Sequence, residues 1–308
     1  MSSHHPKHSR TVLTPLASVA AATLLLTACG ANSDPLEDDD TQADSDTIVI
    51  GSQVYYSNEI IAEIYAQVLE DEGFEVQRDF QIGQREVYMP ELESGEIDLV
   101  PDYTGNLVQY YSDEADSGSP EEVHQQVGEV LPDGLQALDF ADATDQDSYT
   151  VTSQTAQEYD LTSIGDLTEL GDTVSMAANS EFETRPYGPE GAEELYGVTI
   201  ELTAVEDSGG PLTVGALTDG DVQVADIYTS SPAIQAEDLV VLEDPEYLIL
   251  PQNVVPVANS DLDEQAVEAL NKVQAQLGAE DLVELNTRSV EDEARAEDVA
   301  AQWLEQQD

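Results

Sequence analysis

Cations are nearly missing from this chain. Its 308 residues hold 8 Lys+Arg against 66 Asp+Glu, a formal net charge of −58. Nucleic acid is bound by neutralising phosphates, and eight cations leave no basic face for it. The same shortage excludes charge-driven docking on an anionic lipid surface. The single Cys excludes a disulfide scaffold. Four His, three of them among the first eight residues, leave little for a His-ligated zinc or a His-dependent triad. No metal and no cofactor is expected. Neither a Gly-x-Ser-x-Gly elbow nor a His-Glu-x-x-His pair occurs. What is present is a 40% hydrophobic content, enough for a packed core. The length suits about two domains or lobes. The acidity mildly favours cationic partners, but mostly describes a solvated surface.

The N-terminal residues are polar and basic, with Lys7, Arg10 and three His, and an apolar stretch from Val12 to Leu26 follows. That stretch is too short and too rich in Ala and Thr for a membrane span, and fits the core of a secretory signal. It ends Leu26-Thr27-Ala28-Cys29-Gly30. This resembles the bacterial lipobox, cut before the Cys, whose thiol then carries a diacylglycerol. Residues 1–28 are therefore expected to be a signal peptide and Cys29 a lipid anchor. The chain is expected on the outer face of the cell membrane. Loss of Lys7 and Arg10 leaves six cations against the same 66 acids. Residues 29–46, acidic and without apolar periodicity, read as a flexible tether. A calcium loop there lacks the Gly and the terminal Glu that an EF-hand needs.

From Thr47 onward strands and helices alternate, which indicates an α/β fold with mostly parallel sheets. Thr47–Ile50 reads as a strand. Ser57 caps a helix with apolar positions Ile60, Ile61, Ile64, Tyr65, Val68 and Leu69, and Gly73 ends it. Ser119-Pro120 starts another helix, with Pro at its first position. One long-range echo stands out. The run Glu91 to Thr104 lies without gaps on Ala216 to Thr229: helix end, Gly stop, acidic residue, strand, then Tyr-Thr. Ligands bind at the carboxyl ends of strands in α/β sheets. The echo predicts two similar lobes, each turning one Tyr, Tyr103 or Tyr228, to a shared cleft.

The segment Ile50-Gly51-Ser52-Gln53-Val54-Tyr55-Tyr56-Ser57-Asn58-Glu59 resembles the opening of the substrate-binding proteins of glycine betaine/carnitine/choline ABC importers. The resemblance continues through Leu92 to Asp98, Pro101-Asp102-Tyr103-Thr104-Gly105, Glu181 to Gly188, Leu239 to Asp244 and Val255-Pro256-Val257. It implies a type II periplasmic-binding-protein fold, two α/β lobes with a ligand cleft between them. Residues 47–147 and 249–308 would form lobe 1, and residues 148–248 lobe 2. It implies a solute receptor with no catalysis, partnered by an ABC transporter permease. It also implies a cage of aromatic rings around a quaternary ammonium group. Such a group has no N–H to donate and is recognised by ring faces, at roughly 0.5–2 kcal/mol each when desolvated.

Carried over residue by residue, the resemblance gives Tyr103, Tyr149 and Tyr228 as cage walls and Asp147 as the acid beside them. It gives Arg185 as a bidentate clamp for a ligand carboxylate. Gln53 stands where many members have Lys, and Asn106 where Thr is usual. Gln252, in Pro251-Gln252-Asn253, falls where members often carry an aromatic before Asn. The fourth wall would then be missing, or come from Tyr55, Tyr56 or Tyr247. A receptor of the same fold for another solute (choline, carnitine, ergothioneine or an amino acid) is the alternative. An extracellular hydrolase using paired carboxylates is a remote one.

Overall fold

The computed structural model describes residues 47–112 and 115–307. The signal, Cys29 and tether expected above lie outside the described residues. Among the described residues, ten strands form two five-stranded sheets. The first holds β1 (Thr47–Gln53), β2 (Glu75–Gly83), β3 (Leu99–Tyr103), β4 (Leu135–Ala137) and β10 (Val254–Asn259). Its order is β2-β1-β3-β10-β4. The second holds β5 (Thr150–Thr152), β6 (Val174–Ala178), β7 (Ile200–Ala204), β8 (Val224–Ala225) and β9 (Leu239–Val241), in the order β7-β6-β8-β5-β9.

The two sheets share one plan. In each, three strands run parallel, and a fourth lies antiparallel beside the central one. That reversed strand is the first to enter its sheet after the chain crosses over: β5 after the first crossing, β10 after the second. The sequence echo falls on the central strand of each sheet. Gly95 (φ 77°) and Gly220 (φ 78°) stop the preceding helix or turn in the left-handed region. β3 and β8 then lead to Tyr103 and Tyr228.

Alternating side chains bury both faces of each sheet. Leu99 and Val254 pack with the helix Tyr56–Asp71 and the C-terminal helices, while Val100 and Val255 pack on the opposite face with Tyr88, Leu92 and Leu107. In the second sheet Met176 and Val224 face one core, and Ala177 and Ala225 the other. The helix expected to be capped by Ser57 starts two residues earlier, at Tyr56 with Tyr55 at the cap position, and Ser57 itself is buried. Its hydroxyl accepts from Asn286 Nδ2 at 3.2 Å instead of capping the helix. Ser119 caps Pro120–Val130 through a full capping box with Glu122. No helix among the described residues is long and apolar enough to cross a membrane.

Candidate functional site

A cavity opens where the carboxyl ends of both central strands meet the crossings. Gln53, Tyr55, Arg85, Tyr103 and Asn106 line it from the first-sheet side. Asn179, Glu181, Phe182, Arg185, Tyr187, Asp226 and Tyr228 line it from the second, with Asp145 and Asp147 on the first crossing. The Tyr55 hydroxyl donates to Tyr103 Oη. The Tyr55 ring meets Tyr228 edge-on at a centroid distance of 5.3 Å. Burial, first, and the nearby carboxylates push the hydroxyl pKa values of Tyr55, Tyr103, Tyr187 and Tyr228 well above the ordinary Tyr value. All four rings are therefore neutral at any physiological pH.

Three aspartates converge on this aromatic set. Asp145 is buried, and its Oδ1 accepts from Ser230 Oγ at 2.6 Å and Ser230 N at 3.2 Å. Burial raises its pKa to about 6, with Ser230 and, less strongly, Ser57 acting against the rise. Asp226 accepts from Ser148 N at 2.9 Å. Burial and the neighbouring Asp147 carboxylate hold Asp226 well above the ordinary Asp value. The crossings tie these groups to both sheets. Gln146 N donates to Thr229 Oγ1 at 3.0 Å, and Asn286 Nδ2 to Ser230 Oγ at 2.7 Å.

The two guanidiniums in the lining are both engaged. Arg85 pairs with the fully buried Asp102 through Nη2–Oδ1 at 2.6 Å and Nε–Oδ2 at 3.1 Å. Asp102 also accepts from Tyr88 Oη and from Tyr103 N, each at 2.7 Å, which fixes the strand end that carries Tyr103. Arg185 reaches across to Glu86 on the first-sheet side, with Nη1–Oε1 at 2.7 Å.

Seven of the nine ligand-binding residues expected from the sequence line this cavity, and two stand outside it. Tyr149 is buried in the second-sheet core. Its hydroxyl donates to the Tyr187 carbonyl at 2.7 Å and its ring packs edge-on against Phe182. Phe182 and Tyr187, 5.7 Å apart, stand in the lining with Tyr149 behind them. Gln252 is fully buried behind Asn106. Its Oε1 accepts from Asn106 N at 2.8 Å, and its Nε2 donates to Asn106 Oδ1 at 3.2 Å. Gly105 makes that approach feasible, because an added Cβ would lie 2.7 Å from Leu250 Cβ and 2.8 Å from the Pro251 carbonyl. Of the candidates for a further wall, Tyr55 is in the lining, while Tyr56 and Tyr247 are not.

Sequence reasoning missed Arg85, Asp145 and Asp226 altogether. Asp226 had a signal, since it falls two residues before Tyr228 inside the echo. Asp145 had none, because one acid among 66 does not announce its burial.

Comparison with known proteins decides what kind of molecule carries this cavity. Residues 46–306 match the OpuAC model, described as the substrate binding domain of an ABC-type glycine betaine transport system. The chain belongs to the OpuAC family. It is 27% identical over 274 residues to the glycine betaine-binding protein YehZ of Escherichia coli (strain K12), covering 84% of this chain and 90% of that one. It is 24% identical to a glycine-betaine-binding protein of Pseudomonas aeruginosa, over 85% of this chain and 88% of that one. The structure is similar to that of a glycine betaine/carnitine/choline ABC transporter protein, with a TM-score of 0.70 at 20% identity over 84% of this chain and 98% of that chain. Apo YehZ superposes with a TM-score of 0.63 at 26% identity, over 85% and 98% of the two chains. The fold is thus the type II periplasmic-binding-protein fold of OpuAC-family structures. Members of the family are solute receptors that serve ABC transporters outside the cytoplasm, and this chain is a receptor rather than an enzyme.

Proposed function

We propose that the chain captures glycine betaine or a related quaternary ammonium solute and hands it to an ABC transporter permease. The observation that carries this reading is the convergence of four neutral Tyr rings with Asp145, Asp147 and Asp226 in one cavity. Ring faces attract a trimethylammonium group without hydrogen bonds, and the carboxylates add an electrostatic pull. Tyr55, Tyr103, Tyr187 and Tyr228 are the proposed walls, with Phe182 beside Tyr187 in the lining. Gln53, Asn106 and Asp147 are proposed polar contacts, and Gln252 positions Asn106. Arg185, expected to clamp a ligand carboxylate, is held by Glu86 and would take one only on leaving that pair.

We assign residues 47–147 and 249–308 to one lobe and 148–248 to the other, which the sheet membership of β1–β10 supports. The lipobox-like Leu26–Cys29 supports anchoring by a lipid on Cys29, with residues 29–46 as tether. Titration calorimetry of the purified chain with glycine betaine, choline, carnitine, ergothioneine and proline tests the ligand class. Saturable binding confined to molecules without a quaternary ammonium group would refute it.

A further inference from the structure

The groups inside the cavity also carry a preference for the ligand's net charge. Asp145, Asp147, Asp226 and Glu181 line it against two guanidiniums, Arg85 and Arg185. Neither guanidinium is a free countercharge, since Arg85 is held by Asp102 and Arg185 by Glu86. A ligand carboxylate would therefore enter an acidic wall whose cations are already neutralised, and like charges at contact distance repel strongly away from bulk water.

A second observation concerns hydrogen bonding. Gln53 and Asp145 are 5% and 4% exposed, and both line the cavity. Among the described residues, Gln53 Nε2 and Asp145 Oδ2 have no hydrogen-bond partner. Glu181 Oε2, also in the lining, has none either. Buried polar atoms are rarely left unpaired, and those in the lining of a cavity are placed where a bound molecule can satisfy them. The set contains one donor and two acceptors. A carboxylate has lone pairs only, so it satisfies the Gln53 amide and opposes Asp145 and Glu181. A hydroxyl both accepts and donates, and so satisfies the Gln53 amide and one of the two carboxylates at once.

We infer that this cavity selects a quaternary ammonium alcohol, a net monocation of the choline type, over zwitterionic betaines. The inference rests on the reading that the cavity holds a quaternary ammonium group, and it adds the charge and the functional group at the other end of the ligand. Gln53 and Asp145 are the residues that set the selectivity. The cation is held by the rings, and the hydroxyl is read by the two buried polar atoms.

Calorimetric titration of the full chain at pH 7.5 with four probes tests this. Choline carries the cation and the hydroxyl, glycine betaine the cation and a carboxylate, carnitine all three groups, and tetramethylammonium the cation alone. Choline should bind about tenfold or more tightly than either zwitterion, and about tenfold more tightly than tetramethylammonium. Asp145→Asn should cut the choline-to-betaine ratio about tenfold, and Gln53→Leu should bring choline down toward tetramethylammonium. The ranking on the unaltered chain decides without either variant, so a variant that fails to fold does not spare the inference. Glycine betaine binding as tightly as choline overturns it while leaving the quaternary ammonium reading intact. Binding of none of the four probes overturns that reading, and the inference with it.

Discussion

Arg185 and Glu86 join the two sides of the cleft, with Nη1 and Oε1 2.7 Å apart. The Arg185 side chain is 18% exposed and that of Glu86 48%. Burial is the largest single influence and raises the Glu86 pKa, but the Arg185 hydrogen bond, a backbone hydrogen bond and the Arg185 and Arg85 charges together outweigh it, holding the carboxyl below its ordinary value. The pair occupies the one lining cation whose own countercharge is well exposed.

Glu86→Gln is therefore expected to free Arg185 without harming the fold. A half-exposed ion pair contributes about 0–1 kcal/mol to stability. A freed guanidinium takes a ligand carboxylate bidentately. Glycine betaine should gain about 3–10-fold in affinity and choline should change by less than about twofold, a difference on the order of 1 kcal/mol. Calorimetry with both ligands reads the result. Parallel losses for the two would show that the pair only holds the cleft closed.

The position of Tyr149 separates packing from ligand contact. Tyr149→Phe removes the hydroxyl that donates to the Tyr187 carbonyl, and should cost about 0.5–1.5 kcal/mol of stability. Tyr149→Ala opens the core beneath Phe182 and should cost about 3–5 kcal/mol. Neither should mimic Tyr228→Ala, which should weaken ligand binding by about 1–2 kcal/mol, roughly 5–30-fold, at nearly unchanged stability. Urea melts beside calorimetry distinguish the two behaviours. A Tyr149→Phe chain of normal stability that has lost binding would restore this ring to the cage.

The contrast between these tyrosines also shows what was legible in the sequence. Tyr103 ends β3 and Tyr228 follows β8 at the matching place in the echo, and strand periodicity with a Gly stop marks such places. Tyr149 sits just before β5 with its ring in the second-sheet core, and no local pattern records that. The helix from Tyr56 and the capping box at Ser119 follow from short-range chemistry. Arg85–Asp102, by contrast, is a contact over 17 residues between a helix start and a strand end. It emerges only once the helix packs on the sheet. The burial of Asp145 depends on Ser230 and on the second sheet, which a linear reading cannot place.

Asp145 gives the binding a direction in pH. Its pKa stands at about 6 in the unliganded protein, raised chiefly by burial. The raised value means that the folded chain takes up the proton more readily than the unfolded one. This group's charge thus destabilises the fold as pH rises from about 4 through 6, and the penalty vanishes on acidification. A bound cation favours the carboxylate and lowers its pKa, so binding expels a proton. Affinity for choline should be flat above about pH 7 and fall as pH drops through 6, by up to about tenfold per unit for each proton taken up. Asp145→Asn should remove one proton from that dependence, leaving whatever Asp226 contributes. Calorimetry in two buffers of different ionisation enthalpy counts the protons directly. An affinity that rises on acidification would contradict the assignment.

Asp102 is an exacting position, because it faces four donors and no solvent. It accepts from Arg85 Nε and Nη2, from Tyr88 Oη and from Tyr103 N. Burial works against the Arg85 charge, and Asp102, with smaller help from Tyr88 and Tyr187, more than offsets it, so the guanidinium pKa stands well above its ordinary value. Asp102→Asn keeps the shape, removes the countercharge and turns an amide NH₂ toward groups that themselves donate. The guanidinium is left buried and unpaired, which costs about 3–5 kcal/mol. Arg85→Met with Asp102→Leu removes both charges together and should restore much of the loss, since a buried pair exchanged for apolar side chains is often neutral. Binding should not recover with it, because the Tyr103 N–H loses the acceptor that fixes the strand end beneath the cage. Urea denaturation and choline titration on the single and double variants separate the two effects. A single variant within about 1 kcal/mol of the parent would show that water reaches the pair.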